Sequence, residues 1–289
     1  MTVKTGTLFI VSTPIGNLGD FTFRAVETLK LVSLVAAEDT RHSKKLFSHY
    51  KIHKPMISYY EHNKFTRIPI IIDQLLNGND IAVISDAGTP GISDPGPDLV
   101  ARVRSEGMPV VPVPGPSALT TALSMVSFAR QPMAFLGFLP ERRSRRERMI
   151  RKTSAVARTL VIYLPPHGTA GRLAELLDWL GDLPAALCRE LTKIHEEIME
   201  ASLLDLSERI AQHGVRGELT IVLDTSTIVD QQPVDREAME DRLRDLLAAG
   251  MSPGKAAGTV ARDLGVSRQE VYGVVTALPR EVSGDRGSA

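Results

Sequence analysis

The residues best suited to chemistry lie in "SDAGTPGISDPG", positions 85–96, directly after the apolar run Ile81–Ile84. These twelve residues hold three Gly, two Pro, two Asp and two Ser. Gly permits close approach and positive φ, and Pro stiffens a loop before a ligand arrives. Such a loop offers main-chain N–H and C=O groups to a ligand. Asp86, at the strand end, is placed to accept hydrogen bonds from a ribose or an ammonium group. The plainer alternative is a βα turn whose Asp caps the next helix. Similar Gly/Pro loops follow two other apolar runs, in "STPIGNLGD" and "VPGPSA". Three on one sheet edge favour a ligand site.

Other chemistries lack their motifs. There is no G-x-x-x-x-G-K-[ST] and no strand followed by G-x-G-x-x-G. His195 opens "HEEIM", which is not H-E-x-x-H. His49 and His53 stand four apart without a third ligand nearby and read as surface histidines. Ser117 in "GPSAL" lacks the second Gly of a nucleophile elbow. Cys188 is the one cysteine among 289 residues, so no disulfide framework exists; it reads as a small buried hydrophobe, and a reduced, cytoplasmic setting fits. The 34 basic and 34 acidic residues cancel, so no whole-chain field attracts nucleic acid or membrane and any anionic partner needs a local patch. No apolar run reaches the ~18 residues of a membrane span, and no signal-peptide pattern is expected at the start.

The elements that must position these loops follow one plan. "TLFIV" (7–11), "SLVAA" (33–37), "DIAVI" (80–84) and "PVVPV" (109–113) read as buried strands, each leading through a loop into a helical pattern. That order predicts an α/β sheet with parallel pairings, with ligands beyond the carboxyl ends of the strands. The plan restarts with "MAFLGFLP" (133–140), "TLVIYLPPHG" (159–168), "AALCREL" and "ELTIVLD" (218–224), with helices over "TAGRLAELLDWLG" and 203–214. The expected units are 1–117, 118–226 and a helical bundle over 235–282. In the bundle, Gly250 is the expected C-cap, Ser252 and Pro253 open a helix, and Ser267 with Glu270 forms a capping box. Its mixed charges argue for a packing or dimerisation appendage rather than a DNA reader.

Several of these segments are diagnostic together. "STPIGNLGDFTFRA", "AAEDTRHSKKL", "SDAGTPGISDPG", "VVPVPGPSALTTAL", "FLGFLP" and "ARTLVIY" resemble the tetrapyrrole methylase superfamily, and within it the branch called rRNA small subunit methyltransferase I. The match runs in order over about 5–226, and the bundle is similar to that branch's helix-turn-helix appendage. The resemblance implies two α/β domains with S-adenosylmethionine in the cleft between them, a homodimer, and 2′-O-methylation of a cytidine of 16S rRNA near the decoding centre of the small ribosomal subunit. Carried over by motif, the cofactor contacts are Ile15, Asp86, Thr89, Ser117, Ala118, Leu164, Leu219 and Thr220; no metal is implied. After "VIY" the branch has an acidic residue, then Ser, then a His-Arg pair. Here Leu164-Pro165-Pro166-His167-Gly168 keeps only the His, with Arg172 placed to substitute from the next helical turn.

On that reading Arg41 and His42 in "EDTRHS", with Asn63, are candidate substrate contacts. Carboxylates at strand ends that could take a proton are Glu38, Asp39, Asp86, Asp94 and Glu190, among which sequence makes no choice. The segment 141–152 holds seven basic residues against two acidic, and Arg142, Arg143, Arg145 and Arg146 are its candidate RNA contacts. Two alternatives stand beside this reading: a methyltransferase acting on a precorrin-type tetrapyrrole, and a non-catalytic rRNA-binding assembly factor.

Overall fold

The computed structural model describes residues 5–165, 167–231, 236–264 and 268–277. Its contacts divide the chain into two units, 1–229 and 230–289. In the first, strands β1 (Leu8–Val11), β2 (Leu34–Ala37), β3 (Met56–Ser58), β4 (Ile81–Ile84) and β5 (Val110–Val113) alternate with helices α1 (Phe23–Leu31), α2 (Thr40–His49), α3 (Lys64–Leu76), α4 (Pro97–Ser105) and α5 (Ala118–Met125). The sheet order is β3-β2-β4-β1-β5 and every pairing is parallel. Its central strands read as unbroken apolar runs because helices cover both faces. Val11, Ala25, Leu29 and Phe47 pack on one side; Leu8, Ile71, Leu75 and Leu99 pack on the other. All the βα loops of this sheet therefore emerge along one edge.

The second sheet departs from the expected repeat. Strands β6 (Met133–Phe138), β7 (Thr159–Leu164), β8 (Pro184–Arg189), β9 (Glu197–Ser202) and β10 (Leu219–Asp224) are interspersed with α6 (Arg143–Ser154), α7 (Thr169–Leu180) and α8 (Leu203–His213), and α9 (Ser226–Gln231) follows. The order is β6-β7-β10-β8-β9, and of its four pairings only β6 with β7 is parallel. The reason is connectivity. The chain passes from β8 to β9 through a short turn rather than a crossover helix, and a short turn joins antiparallel strands. Leu164, Leu219, Arg189 and Glu197 consequently fall in one row across β7, β10, β8 and β9.

Helices α6, α7 and α8 lie side by side on one face of this sheet, over Leu160, Ile162, Leu173, Leu187, Leu206, Ile210 and Ile221. The other face packs Val161, Ala186, Cys188 and Val222 against Ile15 and Ala122 from the first half. The second unit is the expected bundle: α10 (Arg236–Ala248), α11 (Pro253–Leu264) and α12 (Arg268–Ala277) close on Leu243, Ala257, Val260 and Val271. Gly250 takes the left-handed conformation of a C-cap, φ +82°. Ser267 of the expected capping box lies outside the described residues, as does Pro166.

On the basic helix α6 the structure corrects one of the four candidate RNA contacts, Arg146. Arg146 is only 4 % exposed. It makes a bidentate pair with Glu175 of α7, at 3.0 and 2.7 Å, and it also donates to the Pro140 and Glu141 carbonyls. It ties α6 to α7 and has no face left for RNA. Glu175 also receives Arg172 at 3.1 Å and Arg143 at 3.7 Å. Arg143 further pairs with Asp178 at 2.9 Å and lies over the Trp179 ring. Arg146 and Arg172 beside it hold the Glu175 carboxyl below its usual range. Arg142 and Arg145 remain exposed.

Glu175→Ala leaves the Arg146 guanidinium buried without its counter-charge. It should destabilise the fold by about 3–5 kcal/mol, whereas Arg142→Ala on the exposed face should stay within about 0.5 kcal/mol of the parent. Paired denaturant melts read both. A melting midpoint for Glu175→Ala equal to that of Arg142→Ala would contradict the assignment.

Candidate functional site

The loops after β1, β4 and β5 are bound to one another. Thr13 and Gly88 form an isolated two-bond bridge, with Thr13 N donating to Gly88 O at 2.8 Å and Gly88 N to Thr13 O at 3.1 Å. The Ser12 and Thr89 hydroxyls stand 2.9 Å apart, and Thr89 donates to the Pro116 carbonyl at 3.1 Å. Two glycines make this approach possible. Gly88 has φ +83°, and a Cβ there would meet Ile15 Cγ2 at 3.3 Å; a Cβ on Gly115 would meet the Ser12 Cβ at 2.9 Å.

The second half closes against the same loops. A Cβ on Gly137, at the β6 bulge, would sit 2.8 Å from Ser93 Oγ. Ser93 itself has φ +68°, a strained value for a residue with a side chain. The Tyr163 hydroxyl accepts from Leu119 N at 3.2 Å, at the first turn of α5. Phe135 and Phe138 meet the Tyr163 ring edge-on, and burial pushes its phenol above the usual range.

Between these elements lies a cleft. All eight residues carried over by motif line it: Ile15, Asp86, Thr89, Ser117 and Ala118 from the first half, Leu164, Leu219 and Thr220 from the second. Glu38, Ile92, Ser93, Asp94, Phe138, Tyr163, Cys188, Leu191 and Glu218 line it too. Of these, Tyr163 and Cys188 share a sheet face with Thr220 through the β10 register. Periodicity within each strand carries that alternation, but only the mixed pairing says which faces meet. Cys188 is fully buried as expected, and burial pushes its thiol up to about 11.

The carboxylates sort themselves. Asp86 caps no helix: α4 begins after Gly96, and Asp86 Oδ1 accepts from Asp39 N at 3.0 Å, while Glu38 Oε2 accepts from Asp86 N at 3.3 Å. The loops after β2 and β4 are thus clasped across the cleft rim. Asp39 caps α2, and its Arg41 partner holds its carboxyl down at about 2. The Glu218 amide and Lys193 likewise hold Glu190 low. Burial raises the other two. Asp94 is pushed up to about 7, first by loss of water and then by the neighbouring charges of Glu38 and Asp86, with the Ser85 hydroxyl opposing. Glu38 is raised for the same leading reason.

The remaining candidates divide by accessibility. Arg41 and His42 are exposed at the start of α2, beside Glu38. Asn63 is used up locally: its amide donates to Ser58 O and Oγ, both at 3.2 Å, and its carbonyl accepts from Tyr60 N at 2.8 Å, so it fastens the turn before α3. Arg172 is paired with Glu175, which leaves His167, exposed before α7, as the free part of the departing segment. His49 and His53 are exposed, and no group of metal-ligating side chains exists among the described residues. No helix among them is long and apolar enough to cross a membrane.

Comparison with known proteins agrees with this arrangement. Residues 7–207 match the model of the tetrapyrrole (corrin/porphyrin) methylases, and residues 234–278 match the RsmI C-terminal HTH domain. The chain is 39 % identical over 268 residues to the ribosomal RNA small subunit methyltransferase I of Synechocystis, covering 92 % of this chain and 96 % of that one. It is 37 % identical over 274 residues to the protein of that name from Bacillus subtilis, covering 92 % and 93 %. Among solved structures, uroporphyrin-III-C-methyltransferase from Thermus thermophilus superposes with a TM-score of 0.56 at 19 % identity, covering 78 % and 96 %. A cobalt precorrin-4 methyltransferase gives 0.57 at 16 %, covering 75 % and 94 %. The two structures speak for the fold alone. With the family model spanning most of the two-sheet unit and the relatives spanning nearly the whole chain, the chain belongs to the tetrapyrrole methylase family, in the group that bears the name ribosomal RNA small subunit methyltransferase I.

Proposed function

We propose that this chain is an S-adenosylmethionine-dependent methyltransferase of small-subunit ribosomal RNA, acting on the 2′-hydroxyl of a 16S cytidine near the decoding centre. The observation that carries the reading is the cleft, in which the three bound loops and the edge of the second sheet bring all eight motif positions together. The cleft's chemistry fits the donor. Ile15, Leu164, Leu191 and Leu219 would hold its adenine and methylene parts, Asp86 its ribose or ammonium hydrogens, and the main chain around Gly88 and Ala118 its remaining polar groups. The acidic pair Glu38 and Asp94 suits a cationic sulfonium. When bound, the donor supplies an already activated methyl group. A homodimer belongs to the same reading on the strength of the family resemblance, and a cytoplasmic setting on the single cysteine.

The chain's own contribution is alignment and removal of one proton. Holding the acceptor oxygen in line lowers the barrier by roughly 7–11 kcal/mol, and the loop-to-loop bonding provides the rigidity this requires. Asp94 takes the proton. It lines the cleft, and its raised affinity for a proton places it near the working pH, where a general base is most effective. Asp39 and Glu190 are held too acidic for the task. Exposed Arg41, His42, Arg142 and Arg145 meet RNA phosphate; buried Arg146 and the locally bonded Asn63 do not.

Labelled S-adenosylmethionine should transfer its methyl to small subunits from a strain lacking this protein, giving an alkali-resistant dinucleotide in 16S rRNA. Label absent from RNA would contradict the reading and turn attention to a tetrapyrrole acceptor. The rate should rise with pH through about 7, because only the ionised Asp94 accepts a proton. Asp94→Asn should lower kcat by about 10²–10⁴-fold and abolish that rise while the donor still binds. An unaltered pH profile in Asp94→Asn would remove Asp94 from the role.

A further inference from the structure

A second cavity, unconnected with any motif, opens on the helix-covered face of the second sheet. It is lined by Arg189, Glu197, Arg209, His213 and Arg216 among others. The lining thus carries three arginines and one carboxylate, and two of the arginines are paired with that carboxylate. Glu197 pairs with Arg209 at 3.2 Å and with Arg189 at 3.6 Å. Arg189 Nε donates to the Arg216 carbonyl at 2.7 Å, which fixes the turn carrying Arg216 to the end of β8. Arg209 and Arg216 are exposed. The pocket is concave, partly preformed and left with a positive excess, which suits a phosphate.

Its place in the fold gives that excess a purpose. Arg189 pairs across the sheet with Leu219, which lines the cleft, so the pocket stands at the cleft edge. Helices α6 and α7 start at this edge, after β6 and β7; α8 ends there, with His213 in its last turn, and leads into β10. The exposed Arg142 and Arg145 occupy one flank of the edge and the arginine pocket the other, separated by the sheet's width of roughly 15–20 Å. A chain with no net charge must bind a polyanion through such local anchors, since phosphate neutralisation supplies most of the affinity.

We infer that the Arg189–Arg209–Arg216 pocket is a second backbone-binding site for the RNA acceptor, gripping phosphates on the opposite side of the methyl-transfer cleft from the basic face of α6. The inference rests on the function proposed above. The site positions RNA and touches no reacting atom.

The test is the double variant Arg209→Gln/Arg216→Gln of the full chain, assayed on small ribosomal subunits over a range of salt. The control is Lys30→Gln/Arg104→Gln, which removes two cations from the last turns of α1 and α4, at the far edge of the first sheet. The pocket variant should raise KM for subunits about tenfold and flatten the log–log salt dependence by about 1.5 units, for two lost phosphate contacts. Its kcat and its affinity for S-adenosylmethionine should be unchanged, and the control should match the parent. An unchanged KM and salt slope in the pocket variant, or an equal change in the control, would overturn the site and leave the methyltransferase reading standing. No methyl transfer to subunits by the parent chain would overturn both.

Discussion

The two-bond bridge between Thr13 and Gly88 is the point on which the cleft depends. Parallel strands bring their loops to one edge of a sheet, but nothing in that topology makes the loops rigid. Here the β1 loop is paired to the β4 loop through main-chain groups, and Thr89 carries the link on to the β5 loop through Ser12 and Pro116. Each bond contributes on the order of 1 kcal/mol, so the energy is modest. The geometric consequence is larger: three loops become one wall before any ligand is present, and the ordering cost of binding falls.

That wall also sets the electrostatics. Clasping Asp39 and Asp86 across the rim, and closing the second sheet over Ser93 at Gly137, withdraws Glu38 and Asp94 from water. Carboxylates near one another in a place poor in water hold their protons more tightly. The same close packing that shapes the cleft therefore tunes its acid–base chemistry. The carboxylates with an adjacent cation, Asp39 and Glu190, move the other way. Position relative to water and to arginine or lysine, rather than residue type, separates the two sets.

Four of the five strands of the first sheet were legible in the sequence because they are continuous apolar runs, and the loop residues Asp86 and Ser117 could be placed at one edge without coordinates; β3, three half-buried residues at the sheet's edge, carries too short an apolar run to be read. The second sheet was only half legible. Glu197–Ser202, "EIMEAS", has two acidic residues and no β-branched cluster, and it becomes a strand because β8 offers it an edge. Likewise α3 carries Pro69 in its interior, a breaker by local rules that Ile71, Ile72 and Leu75 outweigh by burial. Arg146 and Asn63 failed as surface contacts for one reason: composition shows a charge or an amide, while its partner, Glu175 or the Ser58 main chain, is set by tertiary packing. The arginine pocket is invisible in sequence, since its members come from β8, α8 and the following turn with no shared motif.

The most direct test of a cleft built jointly by both sheets is calorimetric titration of S-adenosylmethionine into the parent chain and into two cleft-filling variants, Ser117→Trp from the first half and Thr220→Trp from the second. The account expects saturable binding by the parent and its loss in each variant, with the melting behaviour of the chain preserved. Binding that survives both substitutions, or no binding by the parent, would contradict it.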